Sequence, residues 1–284
     1  MNDPYSPSPF KPHFLFQNGD AQTILSSTAR RVSVPDYSRI RLDTPDNDFI
    51  DIDVVVQGSP HLAIVLHGLE GSSGSKYMRG MVHALSNANF DVAAKNFRGC
   101  SGEPNSLPHS YHSGSSHDLK TVVDFFSSQG SYRTISLVGF SLGGNVLLKY
   151  LGELASDAPS TLTGAVALSV PVDLESCAYR LALGRNKIYM NRFLRLLKEK
   201  ISLKAQMFPG KVSMDGFESL KSFADFDGRY VAPLNGFKDA VDYWTRSSSL
   251  PLLSEIRIPT LLINAADDPF LSKSCYPERM SDSS

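Results

Sequence analysis

The hydrophobic and polar positions of the chain alternate between two patterns. Continuous apolar runs, which are typical of strands buried on both faces, occupy 63–66, 91–94, 135–138, 164–170 and 260–264. Apolar positions at helical spacing lie between them, at 76–85, at 117–126 and directly after Ser141. Strands that alternate with helices predict an α/β fold with a mostly parallel sheet and helices on both of its faces.

The pattern upstream of this alternation is different. Residues 32–42 and 49–56 alternate apolar and polar positions, and they predict an antiparallel pair of strands joined by the turn-forming segment 43–48. Residues 1–30 are rich in Pro, Ser and Asn. They predict an irregular N-terminal arm that is either anchored at 22–25 or frayed.

The alternation lapses between Val170 and Thr260. A plain connection of that length is uncommon in a compact domain, so the segment predicts an inserted set of helices. We therefore expect a single domain over 1–284, with its sheet core at 31–171 and 251–284 and a helical cap at 172–250.

One helix of the predicted cap is basic and amphipathic. Its apolar positions recur at helical spacing and are Ile188, Tyr189, Phe193, Leu196, Leu197 and Ile201. Seven basic residues against Glu199 leave a charge of +6, and they are Arg185, Lys187, Arg192, Arg195, Lys198, Lys200 and Lys204. Two interpretations stay open: a cap helix with a solvated basic face, and a helix that docks on lipid or on an anionic substrate.

Composition and charge narrow the class of protein. With 284 residues, 42% of them hydrophobic and 20% charged, the chain is typical of a globular protein, and a formal charge of −1 gives no reason to expect nucleic acid as a partner. Cys100, Cys177 and Cys275 have no paired spacing, so neither disulfides nor a metal site are predicted. The sequence shows neither the pattern of a signal peptide nor a run of ~18 apolar residues, which predicts a cytoplasmic protein. Nothing in it indicates an obligate protein partner.

The sequence Gly139-Phe-Ser-Leu-Gly143 links the strand predicted at 135–138 to the helix that follows it. In a strand-to-helix turn, G-x-S-x-G is a nucleophile elbow, in which small residues flank a serine whose strained backbone lifts its hydroxyl above the sheet. The helix N-terminus beneath it favours developing negative charge. Ser141 is therefore the candidate nucleophile.

A glycine-rich segment at 67–71 follows the buried strand at 63–66, where folds with this elbow place an oxyanion loop. We expect the backbone N–H groups of Leu69 and Leu142 to form the oxyanion hole. His67 is expected to brace the loop through hydrogen bonds rather than to act in catalysis. No Gly-Lys-Ser/Thr follows the glycines, which disfavours a phosphate-binding loop.

The last buried strand runs into Asp267-Asp-Pro269. A carboxylate after a late strand suits the acid of a catalytic triad, and the order of serine before acid fits this elbow. Because a proline holds the residue before it extended, we assign Asp268 as the acid and Asp267 as a helper or turn former. An ordinary structural turn is the alternative.

No histidine follows Ser141, although the triad order of this fold places one after the acid. The seven histidines are His13, His61, His67, His83, His109, His112 and His117. Only 16 residues follow Asp268, too few for the loop, strand and helix that would complete such a sheet. We therefore expect the final strand and helix to be missing and hydrolysis to be impaired.

Segments in a fixed order resemble the YheT-like branch of the α/β-hydrolases, which is related to lipid- and ester-cleaving abhydrolase-domain enzymes. They are NGDAQTI at 18–24, HGLEGSS at 67–73, SKY at 75–77, NFRGCSGEPN at 96–105, YHSG at 111–114, GFSLGGN at 139–145, FDGR at 226–229 and NAADDPF at 264–270. The resemblance implies a serine hydrolase of short-chain esters or acylglycerols that needs no cofactor and uses Ser141 and Asp268. The family's histidine, in a Gly-Gly-His-like segment, has no counterpart.

Three interpretations of the missing histidine stay open. They are a coding sequence cut or shifted in frame near Cys275, a short protein that has lost activity, and a site rewired to His109 or His112. Two functions compete with hydrolysis: ligand binding by an inactive hydrolase fold, and acyl transfer or haloperoxidase-like chemistry by the same residues. The expected partner is a small-molecule ester or lipid, with peripheral membrane contact through the basic helix as a further hypothesis.

Overall fold

The computed structural model describes residues 19, 22–23 and 31–277 of the chain. Within them, the strands form one sheet in the order β1-β2-β4-β3-β5-β6-β7. The strands are β1 (Ser38–Asp43), β2 (Phe49–Val55), β3 (His61–Leu66), β4 (Asp91–Lys95), β5 (Thr134–Phe140), β6 (Leu162–Leu168) and β7 (Thr260–Ile263). The pairs β1–β2 and β2–β4 are antiparallel and the other four are parallel, which confirms the mostly parallel sheet.

Several strand boundaries differ from the sequence prediction, and two of the differences have a local physical cause. β1 begins at Ser38 rather than at 32, because Pro35 lacks the N–H that a ladder requires. β6 ends at Leu168, and Ser169 takes a left-handed φ of 51° that stops the strand. The turn after β6 consequently starts two residues earlier than expected.

Helices cover the sheet and fill the segment between β6 and β7. Those that follow β3, β4 and β5 are α1 (Lys76–Asn87), α2 (Ser116–Ser128) and α3 (Leu142–Leu154). After β6 come α4 (Leu174–Leu181), α5 (Lys187–Met207), α6 (Phe223–Phe226), a π-helical turn Asp227–Val231, α7 (Ala232–Leu234) and α8 (Ala240–Ser247). The division into a sheet core and a cap at 172–250 stays a prediction.

The core lies on both faces of the sheet. Ile64 and Leu66 of β3 join one cluster, whereas Val65 joins another on the opposite face, as the two-residue period of a strand requires. These side chains are fully buried. Helix α5 has its own cluster, which includes Met190 and Leu194.

Helix α5 confirms the predicted helix but not the predicted division of its faces. Its buried side contains Lys204, whose Nζ donates to the carbonyls of Asn105 and Leu107 at 2.7 and 2.5 Å. Ile188, predicted on the apolar face, is 71% exposed. The periodicity misplaced Lys204 because the burial of a long lysine stem depends on carbonyl partners from a distant loop.

The sheet ends at β7 within the described part of the chain, where Leu261 and Ile263 are 52% and 46% exposed. An unpaired edge of this kind favours association, as expected for a sheet without a further strand. Of the arm predicted at 1–30, residues 19 and 22–23 alone are described, and Thr23 Oγ1 donates to the carbonyl of Gly19 at 2.8 Å. The rest of that prediction lies outside the described residues.

Candidate active site

Ser141 occupies the sharp turn between β5 and α3. Its φ of 51° and ψ of −118° lie outside the regions that L-residues ordinarily adopt. The Ser141 N–H donates to Leu168 O at 2.8 Å, and its carbonyl accepts from Asn145 N at 3.1 Å. These bonds to β6 and α3 hold the strained backbone in place.

The flanking glycines are required by close approach of backbone. A Cβ at Gly139 would lie 2.7 Å from Gly143 O, and a Cβ at Gly143 would lie 2.5 Å from His67 O. Gly68 has the same role opposite the serine, because its Cβ would meet Ser141 Cβ at 3.2 Å. The G-x-S-x-G spacing therefore allows the helix start, the serine and the loop after β3 to touch.

Two tyrosine hydroxyls fix the loop that follows β3. Tyr77 Oη accepts from the Gly68 N–H and Tyr111 Oη accepts from the Glu70 N–H, both at 2.8 Å. No acceptor in the described parts of the chain takes the N–H of Leu69, which lies between them, or that of Leu142. The N–H groups of Gly68 and Glu70 are thus already bonded, whereas the N–H of Leu69 between them stays available near the elbow.

His67 braces this loop, as the sequence analysis expects. Its Nδ1 lies 2.7 Å from Gly68 O and its Nε2 accepts from Phe97 N at 3.0 Å, which fixes the tautomer with the proton on Nδ1. Burial lowers the pKa of His67 to about 3. A neutral, fully bonded imidazole of this kind is structural.

A salt bridge joins the same loop to α5. Lys200 Nζ lies 2.8 Å from Glu70 Oε1, which also accepts from Tyr111 Oη at 2.8 Å. Lys200 Nζ further contacts Cys100 Sγ at 3.1 Å, and burial raises the pKa of that thiol. Helix α5 therefore uses one of its basic residues to hold the loop over Ser141 rather than to face solvent.

Asp268 lies in the turn after β7 and faces the same cavity as Ser141. Its Oδ1 accepts from Phe270 N at 2.9 Å, and its pKa is raised by burial, against hydrogen bonds from Phe270 and Ser169. Asp267 is exposed. The backbone of Gly19 packs against the Asp267 carbonyl, since a Cβ added at Gly19 would lie 2.5 Å from Asp267 O.

The cavity between α3, the cap helices and the acid turn has a volume of about 470 Å³. It brings together Ser141, Leu142, Leu69 and Asp268, the four residues singled out from the sequence. Several polar residues of its wall had no predicted role in the site, and they include Glu70, Tyr77, Tyr111, Lys200 and Asp227. All of these except Lys200 lie inside the resembling segments, which was the available signal.

The two histidines considered for a rewired site differ in position. His112 lines the cavity, but its Nδ1 accepts from Gly114 N at 3.1 Å, and burial lowers its pKa to about 3. His109 lies 3.7 Å from Asp46 instead. A ring with so low a pKa is a poor general base near neutral pH.

The described residues hold neither a metal-binding cluster nor a membrane-spanning helix. Within residues 31–277 and the three described residues before them, no group of His, Cys, Asp and Glu side chains is arranged to hold a metal ion. The helices of this same part of the chain are all too short or too polar to cross a bilayer.

Comparison with known proteins identifies the family. The family model for the alpha/beta hydrolase fold matches residues 64–279, which include the elbow, the loop after β3 and the acid turn. The chain belongs to the α/β hydrolase fold family. The hydrolase sheet and its mostly parallel order are thereby confirmed.

Named relatives of this α/β hydrolase were found among bacteria and animals. Escherichia coli YheT, provisionally named an esterase, is 35% identical over 98% of the chain and 83% of its own length. Human phospholipase ABHD3 is 30% identical over 87% of the chain, which spans 60% of that protein. The resemblance to the YheT-like branch is confirmed.

A solved structure supports the fold assignment. The Pyrococcus furiosus esterase Pf2001 superposes with a TM-score of 0.57 at 19% identity, over 84% of this chain and 74% of the other. At that identity the likeness concerns the α/β hydrolase fold alone.

Proposed function

We propose that this α/β hydrolase cleaves carboxylic esters through an acyl-enzyme on Ser141. One observation supports this best: the strained Ser141 shares a cavity with two backbone N–H groups that have no acceptor among the described residues. These amides, from Leu69 and Leu142, suit the oxyanion of a tetrahedral intermediate. The names of YheT and ABHD3 favour ester or lipid substrates.

The proposed reaction has two displacements. Ser141 Oγ attacks the ester carbonyl carbon, the alcohol leaves with the serine proton, and water then releases the acid and restores the hydroxyl. Asp268 would orient the base that carries the proton. No histidine follows Asp268 in this sequence, so we propose that a chain of this sequence reacts slowly.

Covalent labelling tests the nucleophile. A fluorophosphonate should label Ser141, and S141A should remove the labelling completely because no other hydroxyl stands in the elbow. S110A is the matched control, since Ser110 lines the same cavity, and it should keep the label. Mass spectrometry of the labelled peptide identifies the site. A folded protein that stays unlabelled, or a label that survives S141A, contradicts the proposal.

Free imidazole separates the two hypotheses for activity. If the elbow lacks only a base, imidazole in the buffer should accelerate both the labelling and the release of acid from short-chain esters. An inactive ligand-binding protein would be protected thermally by esters but would release no acid at any imidazole concentration. The missing histidine is the observation that favours that second candidate.

We also propose that the exposed side of the cap contacts an anionic membrane surface. Leu183 and Ile188 are 67% and 71% exposed, and Arg192 and Arg195 of α5 are exposed as well, a mixture that suits a lipid interface. R192E should weaken binding to vesicles of phosphatidylglycerol and phosphatidylcholine roughly tenfold. R133E, the same change before β5, should not. Equal binding to pure phosphatidylcholine vesicles would contradict this hypothesis. The cytoplasmic location expected from the sequence is a separate prediction, which stays untested by this experiment.

A further inference from the structure

Asp227 is a buried carboxyl group that the proposed chemistry does not use. It begins the π-helical turn, is 8% exposed and lines the cavity that holds Ser141. It also belongs to the FDGR segment at 226–229, which the sequence analysis left without a role. A carboxyl group in such a place needs polar partners, because burying it without them is costly.

The protein supplies a hydrogen-bond donor to only one of the two carboxyl oxygens of Asp227. Asp227 Oδ2 accepts from Trp244 Nε1 at 2.8 Å, and no donor among the described residues reaches Oδ1. Arg229, two residues further on, donates to the carbonyl of Asp215 instead, and its guanidinium lies 5.6 Å from the centre of the Tyr230 ring. No basic side chain of the described chain forms a salt bridge with Asp227. One carboxyl oxygen is therefore left for a ligand in the cavity.

The protonation state of Asp227 limits which chemical groups of a ligand it can bind. Burial raises its pKa to about 7, and the Trp244 N–H offsets only part of that effect. Near neutral pH, the carboxyl group therefore exists in both forms, of which the neutral one can donate as well as accept. A hydroxyl group pairs with either form. An anionic group would be repelled by the ionised form, and a cation would require the form that burial disfavours.

Apolar side chains line the cavity around Asp227. Leu197 and Ile201 belong to the cluster of α5 together with Phe226 and Tyr230, and Trp244 belongs to a second cluster. An ester whose acyl chain is a hydrocarbon carries free hydroxyl groups in its alcohol portion alone. A hydroxyl group that binds Asp227 therefore belongs to the alcohol portion.

We propose that Asp227 is a specificity-determining residue that binds a free hydroxyl group in the alcohol portion of the ester. The cavity then selects partial esters of polyols over esters of simple alkanols with the same acyl chain. This inference rests on the proposed function, because it takes the occupant of the cavity to be an ester held beside Ser141.

Binding of unreactive ethers tests the inference without turnover. The probes are 1-O-octylglycerol and its 2,3-di-O-methyl derivative, in which both free hydroxyl groups are capped by methyl groups, and binding is measured by calorimetry on the full chain. The wild type should bind the first roughly tenfold more tightly, as expected for one hydrogen bond to a buried group. D227L should lose that preference and D227N should keep it, whereas D215L, the same change at an exposed cap position, should behave as the wild type.

Trp244 gives an independent readout, because it is the single tryptophan of the chain. Its fluorescence should show a transition near pH 7 as Asp227 ionises, and 1-O-octylglycerol should shift that midpoint. On the same wall, the pKa of Tyr243 is raised by burial and that of His112 is lowered to about 3, so neither titrates in this range. D227N should abolish the transition. This measurement needs no destabilising variant.

The outcomes separate this inference from the proposed function. Equal affinity of the wild type for the two ethers overturns the role of Asp227, whether or not Ser141 is labelled by a fluorophosphonate. Failure of labelling overturns the role of Ser141 but leaves a measured preference for the free hydroxyl intact. A preference that survives D227L with its full magnitude also overturns the inference.

Discussion

Alanine at Gly143 should lower the free energy of unfolding by roughly 3 kcal/mol, the upper end of the cost of overpacking a tight contact. The added Cβ would lie 2.5 Å from His67 O and 2.8 Å from Leu66 O. Both are backbone atoms beside a buried strand, so neither can move without disturbing β3. The start of α3 must then shift, and Ser141 shifts with it.

Urea unfolding measures this effect against a matched substitution. G164A changes the same atoms within β6, but its Cβ meets nothing closer than Pro259 O at 3.7 Å, an ordinary contact. We expect G164A to be nearly neutral and G143A also to slow fluorophosphonate labelling of Ser141. Similar unfolding free energies for the two variants would show that the close approach is not tight.

The elbow was predictable because its signals are local. The run before Ser141 predicts a buried strand, the helical spacing after Leu142 predicts α3, and the glycines between them report on steric crowding that any such turn has. The fold class followed from the same alternation. For the strands, only boundaries were wrong, as at Pro35, where a single proline outweighed the apolar pattern.

The remainder of the site depends on contacts between distant segments. Tyr111 and Lys200 are 89 positions apart, yet both bond to Glu70. Periodicity places a lysine on a polar face and cannot show that a carboxylate from another loop makes burial favourable. Asp227 is similar, because its pKa is raised by burial in the folded protein and lowered in part by a hydrogen bond from the distant Trp244.

Methionine at Arg98 should lower the free energy of unfolding by about 3 to 5 kcal/mol, the usual cost of removing one partner of a buried ion pair. The Arg98 side chain is 2% exposed, and it donates to Asp118 at 2.6 Å and to Asp46 at 2.7 Å. Asp48 lies 3.2 Å away and also accepts from Ser106 N at 2.7 Å. Arg98 thus links the loop after β4 to α2 and to the β1–β2 turn.

The control is R257M, in which the same substitution removes an exposed pair with Glu255. That pair should contribute less than about 1 kcal/mol, since water screens it. Equal losses in the two variants, measured by urea unfolding at pH 7, would mean that the buried network contributes no more than a surface contact.

The pH dependence of the free energy of unfolding should show whether R98M is destabilised by the loss of a charge partner or by the loss of packing. Burial alone would raise the pKa of Asp118, but the Arg98 hydrogen bonds lower it below its ordinary value. In the wild type, this carboxylate stabilises the fold above pH ~4 and loses that contribution as the pH falls through its depressed pKa. In R98M the Arg98 hydrogen bonds are gone, so burial raises the pKa of Asp118. Protonation then relieves the cost of burying a carboxylate without its charge partner. The stability difference between the two proteins should therefore shrink from pH 7 towards pH 4, whereas a packing defect would leave it constant.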